Sequence, residues 1–554
     1  MKMKSSLEIA QAAKPKPIKQ VAKQIGLREK EIELFGDFKA KISLDVFRRV
    51  SKKKDGRLVL VTATTPTSSG EGKTTMTIGL GQALARLKKK TMICLRQPSM
   101  GPIFGVKGGA TGGGYSQVIP MEDINIHFTG DIHAITSANN LLAAMLDNYV
   151  YYNREKFGPT PNITWKRAED MNDRSLRNIE ICMMGNLCIP RNEAFQITAA
   201  SEVMAVFCLS NSLVELKENL GKMVVGFDRD QNPVFCRDMK AQGAMAVVLR
   251  SAFSPNLVQS LEGVPAFIHG GPFANIAHGC NSIVATKTAL KLADIVVTEA
   301  GFASDLGMEK FFDIKCRKGN LKPSCVVLVT TIKALRRQGG AKDPKPVNLE
   351  ALKHGLVNLE KHMENISQFG VPFVVAINKF DSDAQEELLA VQEFVISRHA
   401  KAFVCEAFTR GGKGCLELAK EVDRLSQKKN SFRFLYSLNE PLKAKIEHIA
   451  IKLYGAEGVD FEEKALNDIH ILEKSGLDKQ PVCISKTQMS LSDDPELVGR
   501  PKNFRIKIRE VYPSNGAGFI VALSGQLISM PGLPKEPNAE KIDIDANGRI
   551  TGLF

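Results

Sequence analysis

Two groups of residues carry recognisable chemistry on type and spacing alone. The first is Thr67-Ser68-Ser69-Gly70-Glu71-Gly72-Lys73-Thr74, which stands between an apolar run, Arg57–Thr62, and a helical pattern that reaches Leu87. A strand that feeds a Gly-rich turn and then a helix is the setting of a phosphate-binding loop. Glycines let consecutive backbone N–H groups turn inward around phosphate oxygens. The helix N-terminus adds partial positive charge, Lys73 a full one, and the Thr74 hydroxyl a ligand for Mg²⁺. Thr67 stands where the pattern G-x-x-x-x-G-K-[ST] has its first Gly. The loop predicts a nucleoside triphosphate site. It leaves open where the phosphoryl group goes, because kinases, ligases, GTPases and mechanical ATPases all use such a loop.

The second group is centred on Arg96, which directly follows the apolar run Thr91–Leu95. In open α/β sheets, residues at the carboxyl ends of strands face the ligand crevice. An Arg there can clamp a carboxylate or phosphate with two parallel hydrogen bonds, which a Lys cannot do. Beyond it, half of the residues from Gly101 to Gly114 are glycine, interspersed with Ile, Phe and Val. That composition suits a backbone that approaches a ligand closely better than it suits a linker.

The elements that must position these groups are legible as short apolar runs alternating with helix-length amphipathic stretches. Met245–Leu249, Ala266–Ile268, Ile295–Thr298, Val326–Thr330 and Phe373–Ile377 read as further strands, brief and mostly β-branched, as in a parallel sheet buried on both faces. The fold expected is α/β, a P-loop NTPase-like parallel sheet core with a second α/β unit and a small C-terminal unit. After Lys464 the runs Pro481–Ser485, Phe504–Val511 and Phe519–Leu523 lie amid Pro and Gly. The division expected is 1–335 for the nucleotide-binding domain, 336–463 for the second unit and 464–554 for the C-terminal unit.

Composition bounds the function classes. A chain of 554 residues is long enough for two to four domains, and a hydrophobic fraction of 44% excludes disorder as its main description. The formal charge of +15 favours polyanionic partners without choosing among them. Aromatics at 6%, with Trp165 the single Trp, weaken the case for a stacking-based binder of single-stranded nucleic acid. Lys52–Lys54 and Lys88–Lys90 read as solvated helix ends, so neither nucleic acid nor a membrane is expected as a partner. Eleven cysteines without a C-x-x-C pair point to buried thiols rather than a zinc ribbon or a disulfide framework. The Lys-rich N-terminus has no apolar segment of a signal, and a cytoplasmic location is expected.

Several longer strings resemble the formate–tetrahydrofolate ligase family. They are Arg96-Gln-Pro-Ser-Met-Gly-Pro102, Gly108–Gln117, Met121–Ala134, Asn172–Arg177, Ala266–Gly279, Thr298-Glu-Ala-Gly301, Lys310–Cys316 and Met530–Pro534. The resemblance covers essentially the whole chain, including Ser6–Gln11. It departs at Gln97, where many relatives have Glu, and at Gln196, where Asp is frequent. It implies ATP-dependent joining of formate to N10 of tetrahydrofolate through formyl phosphate, with Lys73 and Mg²⁺ on the ATP phosphates and Arg96 on formate. It also implies folate held between Phe380 and Phe408, activation by a monovalent cation such as K⁺ or NH₄⁺, and a homotetramer. A basic balance suits polyglutamylated folate.

Histidines are few. His127 and His133 flank Asp131, and His127 is the candidate to take the N10 proton or to donate to the intermediate. His269 and His278, around Gly270-Gly271-Pro272, are expected to support a substrate loop. Asn378-Lys-Phe-Asp381 reads as N-K-x-D, a guanine-recognition string in GTPases, but it lies far downstream of Lys73. A GTP-dependent switch is therefore the weaker alternative.

Overall fold

The computed structural model describes residues 4–67, 70–106, 110–183, 188–525 and 528–553. Its centre is a set of parallel strands: Arg57–Ala63 (β1), Thr91–Leu95 (β2), Pro265–Ile268 (β3), Ile295–Glu299 (β4), Pro323–Thr330 (β5), Phe373–Asn378 (β6) and Ala402–Cys405 (β7). They lie side by side in the order β3-β2-β4-β1-β5-β6-β7. Their sequences are near-continuous Val, Ile, Leu and Ala because helices cover both faces; Leu58, Val59, Leu60 and Val61 of β1 are all at most 1% exposed. Asn256–Ser260, Ala40–Ile42 and Ile32–Leu34 extend the sheet beyond β3 in antiparallel pairs.

The helices used below are Lys73–Arg86 (α1), Met100–Gly105 (α2), Ile332–Gln338 (α3), Leu349–Gln368 (α4) and Gln385–Ser397 (α5). The expected strands are observed with ends shifted by a few residues, except that Phe504–Val511 is divided between two strands, Arg505–Ile508 and Glu510–Ser514, and that one run is not a strand. Met245–Leu249 belongs to a helix, Gln242–Leu249. Met245 and Leu249 are fully buried one helical turn apart while Val247 is 74% exposed, and so short an apolar run does not distinguish the two periods.

β6 pairs with β5 in parallel register from Val326↔Phe373 to Thr330↔Ile377, and β7 pairs with β6. The boundary expected after residue 335 thus falls inside α3, along one continuous sheet. Beyond Lys464, Val482–Ser485, Phe519–Leu523 and Glu510–Ser514 form a three-stranded sheet, and Arg505–Ile508 pairs in parallel with Gly458–Phe461. Ile484, Ile506 and Ile520 share one hydrophobic core with Leu328 of β5 and Phe369.

Cys182 and Cys188 form a disulfide where buried thiols were expected. Ile179–Ile181 and Arg191–Glu193 pair antiparallel, which brings these two neighbours of the strand ends together. The other nine cysteines are free and buried. Among the described residues, no helix is long and apolar enough to cross a membrane.

A buried ion pair ties the 335/336 region together. Arg336 of α3 is fully buried; its Nε donates to Glu387 Oε1 of α5 at 2.8 Å, and its Nη2 donates to Oε2. Its Nη1 donates to the carbonyls of Pro344 and Lys345 at 3.0 and 2.9 Å. Removing one partner leaves a buried charge uncompensated. Glu387→Ala should lower stability by about 3–5 kcal/mol in urea unfolding. A loss below about 1 kcal/mol would mean that the pair is solvated rather than structural.

Candidate active site

Thr67–Thr74 joins β1 to α1, with Ser68 and Ser69 outside the described residues. Gly70 and Gly72 are both left-handed, at φ 77° and 70°, and Lys73 is the first residue of α1. The loop is held from inside by Glu71, only 1% exposed, whose Oε1 accepts from Thr67 N at 2.7 Å and whose Oε2 accepts from the Thr331 hydroxyl. Thr67 is absent from the positive-φ positions, so its amide is turned by Glu71 rather than by a glycine conformation. Asn378, the last residue of β6, donates its amide to Glu71 O at 3.2 Å. A Cβ on Gly72 would stand 2.5 Å from that amide nitrogen, so glycine is required there by space as well as by φ. Behind the loop, His362 Nε2 accepts from Thr65 N at 2.9 Å while Nδ1 meets Ser304 Oγ at 2.7 Å. The Asn of N-K-x-D is therefore a support of the loop.

The Thr74 hydroxyl lies 2.9 and 3.1 Å from the two carboxylate oxygens of Glu299, the last residue of β4. A hydroxyl and a carboxylate side by side are hard oxygen donors of the kind Mg²⁺ takes. Thr74 and Glu299 fit that ion. Among the described residues, no group of three His, Cys, Asp or Glu is arranged to hold a metal.

Arg96 is the residue after β2, and β4 lies between β1 and β2. Two strand spacings, about 10 Å, therefore separate the start of the loop from Arg96. Arg96 Nη1 donates to Pro272 O at 3.2 Å, and Nε is buried without a partner among the described residues. Two residues beyond Glu299, a Cβ on Gly301 would stand 3.3 and 3.4 Å from Arg96 Nη1 and Nη2. The segment Glu299–Gly301 thus touches α1 at one end and the guanidinium at the other. Gln97 is 2% exposed, and among the described residues neither amide atom has a partner.

The expected aromatic residues follow adjacent strands, with Asn378 opposite Cys405 in the ladder. Phe380 is 37% exposed with the Lys333 ammonium 4.8 Å from its ring centroid. Phe408 is half-buried against the Gly-rich segment: Tyr115 N donates to its carbonyl at 2.8 Å, and a Cβ on Gly113 would lie 2.9 Å from its Cε2. Those glycines make room for Phe408; Lys107–Gly109 of the same stretch lie outside the described residues.

The histidines separate. His127 and His133 are exposed, while Asp131 between them is buried in an ion pair with Lys41 at 2.7 Å. No hydrogen bond among the described residues joins His127 to Arg96 or to the loop. His269 is tied at both nitrogens, to Ser282 Oγ at 2.6 Å and to Ala252 O at 2.9 Å, and burial pushes it down to about 4. The basic runs Lys52–Lys54 and Lys88–Lys90 immediately precede β1 and β2, at the edge of the sheet opposite the loop.

Glu299 was missed from the sequence, although it had the signal that picked out Arg96, a charged residue closing an apolar strand. Asp170 was also missed. It is 5% exposed and accepts from Ser99 Oγ at 2.5 Å and Met100 N at 3.0 Å, fixing the start of α2 just after Arg96 and Gln97. Burial raises its carboxyl to about 6 against the pull of those two bonds. The unfolded chain ionises Asp170 near 3.8, so between the two values the folded state holds the extra proton. Its stabilising contribution is complete below the lower value and is lost as pH rises through about 6, by up to ~3 kcal/mol. Melting temperatures of the wild type and Asp170→Asn, compared at pH 4.5 and 7.5, should show the larger fall with pH in the wild type. Equal falls would place this titration elsewhere.

A loop that can receive phosphates, a strand-end carboxylate beside its hydroxyl and a guanidinium beyond it occupy the carboxyl ends of three neighbouring strands. The family model of formate–tetrahydrofolate ligase matches residues 4–554, and on that match the chain belongs to the formate–tetrahydrofolate ligase family, whose members are ATP-dependent ligases.

Proposed function

We propose that ATP binds at Thr67–Thr74 of a P-loop NTPase-like core, and that its γ-phosphoryl group is transferred to formate held by Arg96, giving formyl phosphate. The observation that carries this reading is the segment Glu299–Gly301, in contact with Thr74 at one end and beside Arg96 at the other. A nucleotide and a one-carbon acid bound at those two ends would meet over the end of β4.

Formate is a poor acyl donor because its charge is shared over two oxygens. One of those oxygens attacks the γ-phosphorus, and ADP leaves. The acyl carbon then carries a phosphate, a good leaving group. N10 of tetrahydrofolate is an anilinic amine, neutral at pH 7, and attacks the formyl carbon without prior deprotonation. Phosphate departs as the tetrahedral intermediate collapses, and the N10 proton is lost late. Lys73 and the loop amides hold the phosphates of ATP, and Arg96 orients formate and then the formyl phosphate oxygens. Positioning and charge stabilisation are the main levers in such a transfer. Thr74 and Glu299 would hold Mg²⁺, which supplies charge neutralisation on the phosphates when bound. Phe380 and Phe408 offer apolar faces for the pterin ring at the ends of β6 and β7. His127 is proposed as acceptor of the N10 proton from its exposed position. Homotetramer formation and monovalent-cation activation belong to the same proposal, on the family resemblance alone.

The test is production of 10-formyltetrahydrofolate from ATP, formate and tetrahydrofolate. Lys73→Ala and Arg96→Ala should each lower kcat/KM by about 100-fold or more, the first chiefly for ATP and the second for formate. Full activity in Arg96→Ala would remove that residue from the mechanism. Glu299→Gln should raise the Mg²⁺ concentration that supports binding of a fluorescent ATP analogue by about tenfold. An unchanged Mg²⁺ titration would leave Glu299 a partner of Thr74 and no more.

A further inference from the structure

The loop that wraps Arg96 carries a histidine unlike the other two buried histidines. His269 and His362 engage both ring nitrogens in hydrogen bonds, as a buried structural imidazole should. His278 is fully buried, and among the described residues neither Nδ1 nor Nε2 has a partner. An imidazole offers a donor and an acceptor, and native interiors seldom leave both unused.

His278 and Arg96 are near enough to interact electrostatically. Residues 272–279 are anchored beside Arg96 at both ends. Pro272 O accepts from Arg96 Nη1 at 3.2 Å, and Gly279 O accepts at 2.9 Å from the N–H of Gly301, the glycine against the guanidinium. Lys310 Nζ reaches into the same loop, donating to Ala274 O at 2.7 Å, and Lys315 Nζ donates to Asn281 Oδ1 at 2.8 Å. Among the described residues, Arg96, Lys310 and Lys315 have no carboxylate within ion-pair distance, and both lysines are fully buried. Burial first, then Lys315, Arg96 and Lys310, hold the His278 imidazole well below its usual range. Arg96, Lys310 and Lys315, with a guanidinium N–H and an imidazole unpaired among the described residues, form a donor-rich region that suits an anion.

We propose that His278 contacts the substrate acid: its ring N–H donates to an oxygen of the formate that Arg96 draws in. The inference rests on the formate-activating role given to Arg96 above. No proton is transferred; the hydrogen bond orients the acid. An uncharged donor suits this task because it fixes the carboxylate while withdrawing less charge than a third cation from the oxygen that must attack phosphorus.

The full-length enzyme decides the matter with three variants. His278→Asn keeps an N–H donor, whereas His278→Leu and His278→Ala remove it; whichever of the last two folds, by melting temperature, carries the comparison. Loss of the donor should raise the KM for formate by about tenfold or more, with the KM values for ATP and tetrahydrofolate within about twofold of wild type. His278→Asn should recover formate KM to within about threefold. A formate KM unmoved in the folded variant would overturn the inference, as would a parallel rise in all three constants, which marks loss of structure. A wild-type enzyme that makes no 10-formyltetrahydrofolate would instead overturn the reading beneath it. Wild-type turnover with formate KM unmoved in the variant overturns this inference alone.

Discussion

β4 lies between β1 and β2, and its register with both sets what meets at the carboxyl edge of the sheet. Glu299 is level with Val61 of β1, and Thr298 with Cys94 of β2. Strand side chains alternate between faces, so a slip of one residue would turn Glu299 away from Thr74. The register is enforced by burial: Val59, Val61, Ile93, Val296 and Val297 have no exposed surface, and shifting any of them would break packing on both faces at once. Nearly all of the chemistry assigned to the site depends on these three strands ending together.

The loop and the Arg96 region are stabilised in opposite ways. Among the described residues of Thr67–Thr74 and its surroundings, side chains hold the backbone in place: Glu71 holds Thr67, Asn378 holds Glu71, and His362 joins Thr65 to Ser304. The loop is thereby shaped before any ligand arrives, which lowers the entropy lost on binding. Around Arg96 the contacts among the described residues are incomplete, with Arg96 Nε, both nitrogens of His278 and both amide atoms of Gln97 unpaired. Ser304–Met308 and Phe311–Cys316, which follow Gly301, are wound as π-helix and bury Asp305, Asp313 and Lys315, with the buried Lys310 between them. Irregular helix of this kind is common near functional sites.

Much of this was legible in the sequence because strand and motif signals coincide. Apolar β-branched runs marked β1, β2, β4, β5 and β6, and the residues just past them, Thr67–Thr74 and Arg96, drew attention through their position. Met245–Leu249 was misread because five apolar residues satisfy both periods, and only Val247 facing outward reveals the helix. The continuity of the sheet across residue 335 was hidden because pairing between β5 and β6 is a long-range contact that no local pattern reports. The supporting roles of Glu71, Asn378 and His362 were out of reach for the same reason: each acts on the loop from a distant point in the chain or as a side chain folded back upon it. His278 differs from His269 in what surrounds it rather than in type or spacing.

The central claim is that the phosphoryl group moves from ATP to formate at the end of β4 before the one-carbon unit meets folate. Formate labelled with ¹⁸O in both oxygens tests it most directly, with the released phosphate read by mass spectrometry. Attack by a formate oxygen on phosphorus, followed by cleavage of the carbon–oxygen bond, carries one labelled oxygen into each phosphate formed. Phosphate without label, at normal yield of 10-formyltetrahydrofolate, would contradict the account.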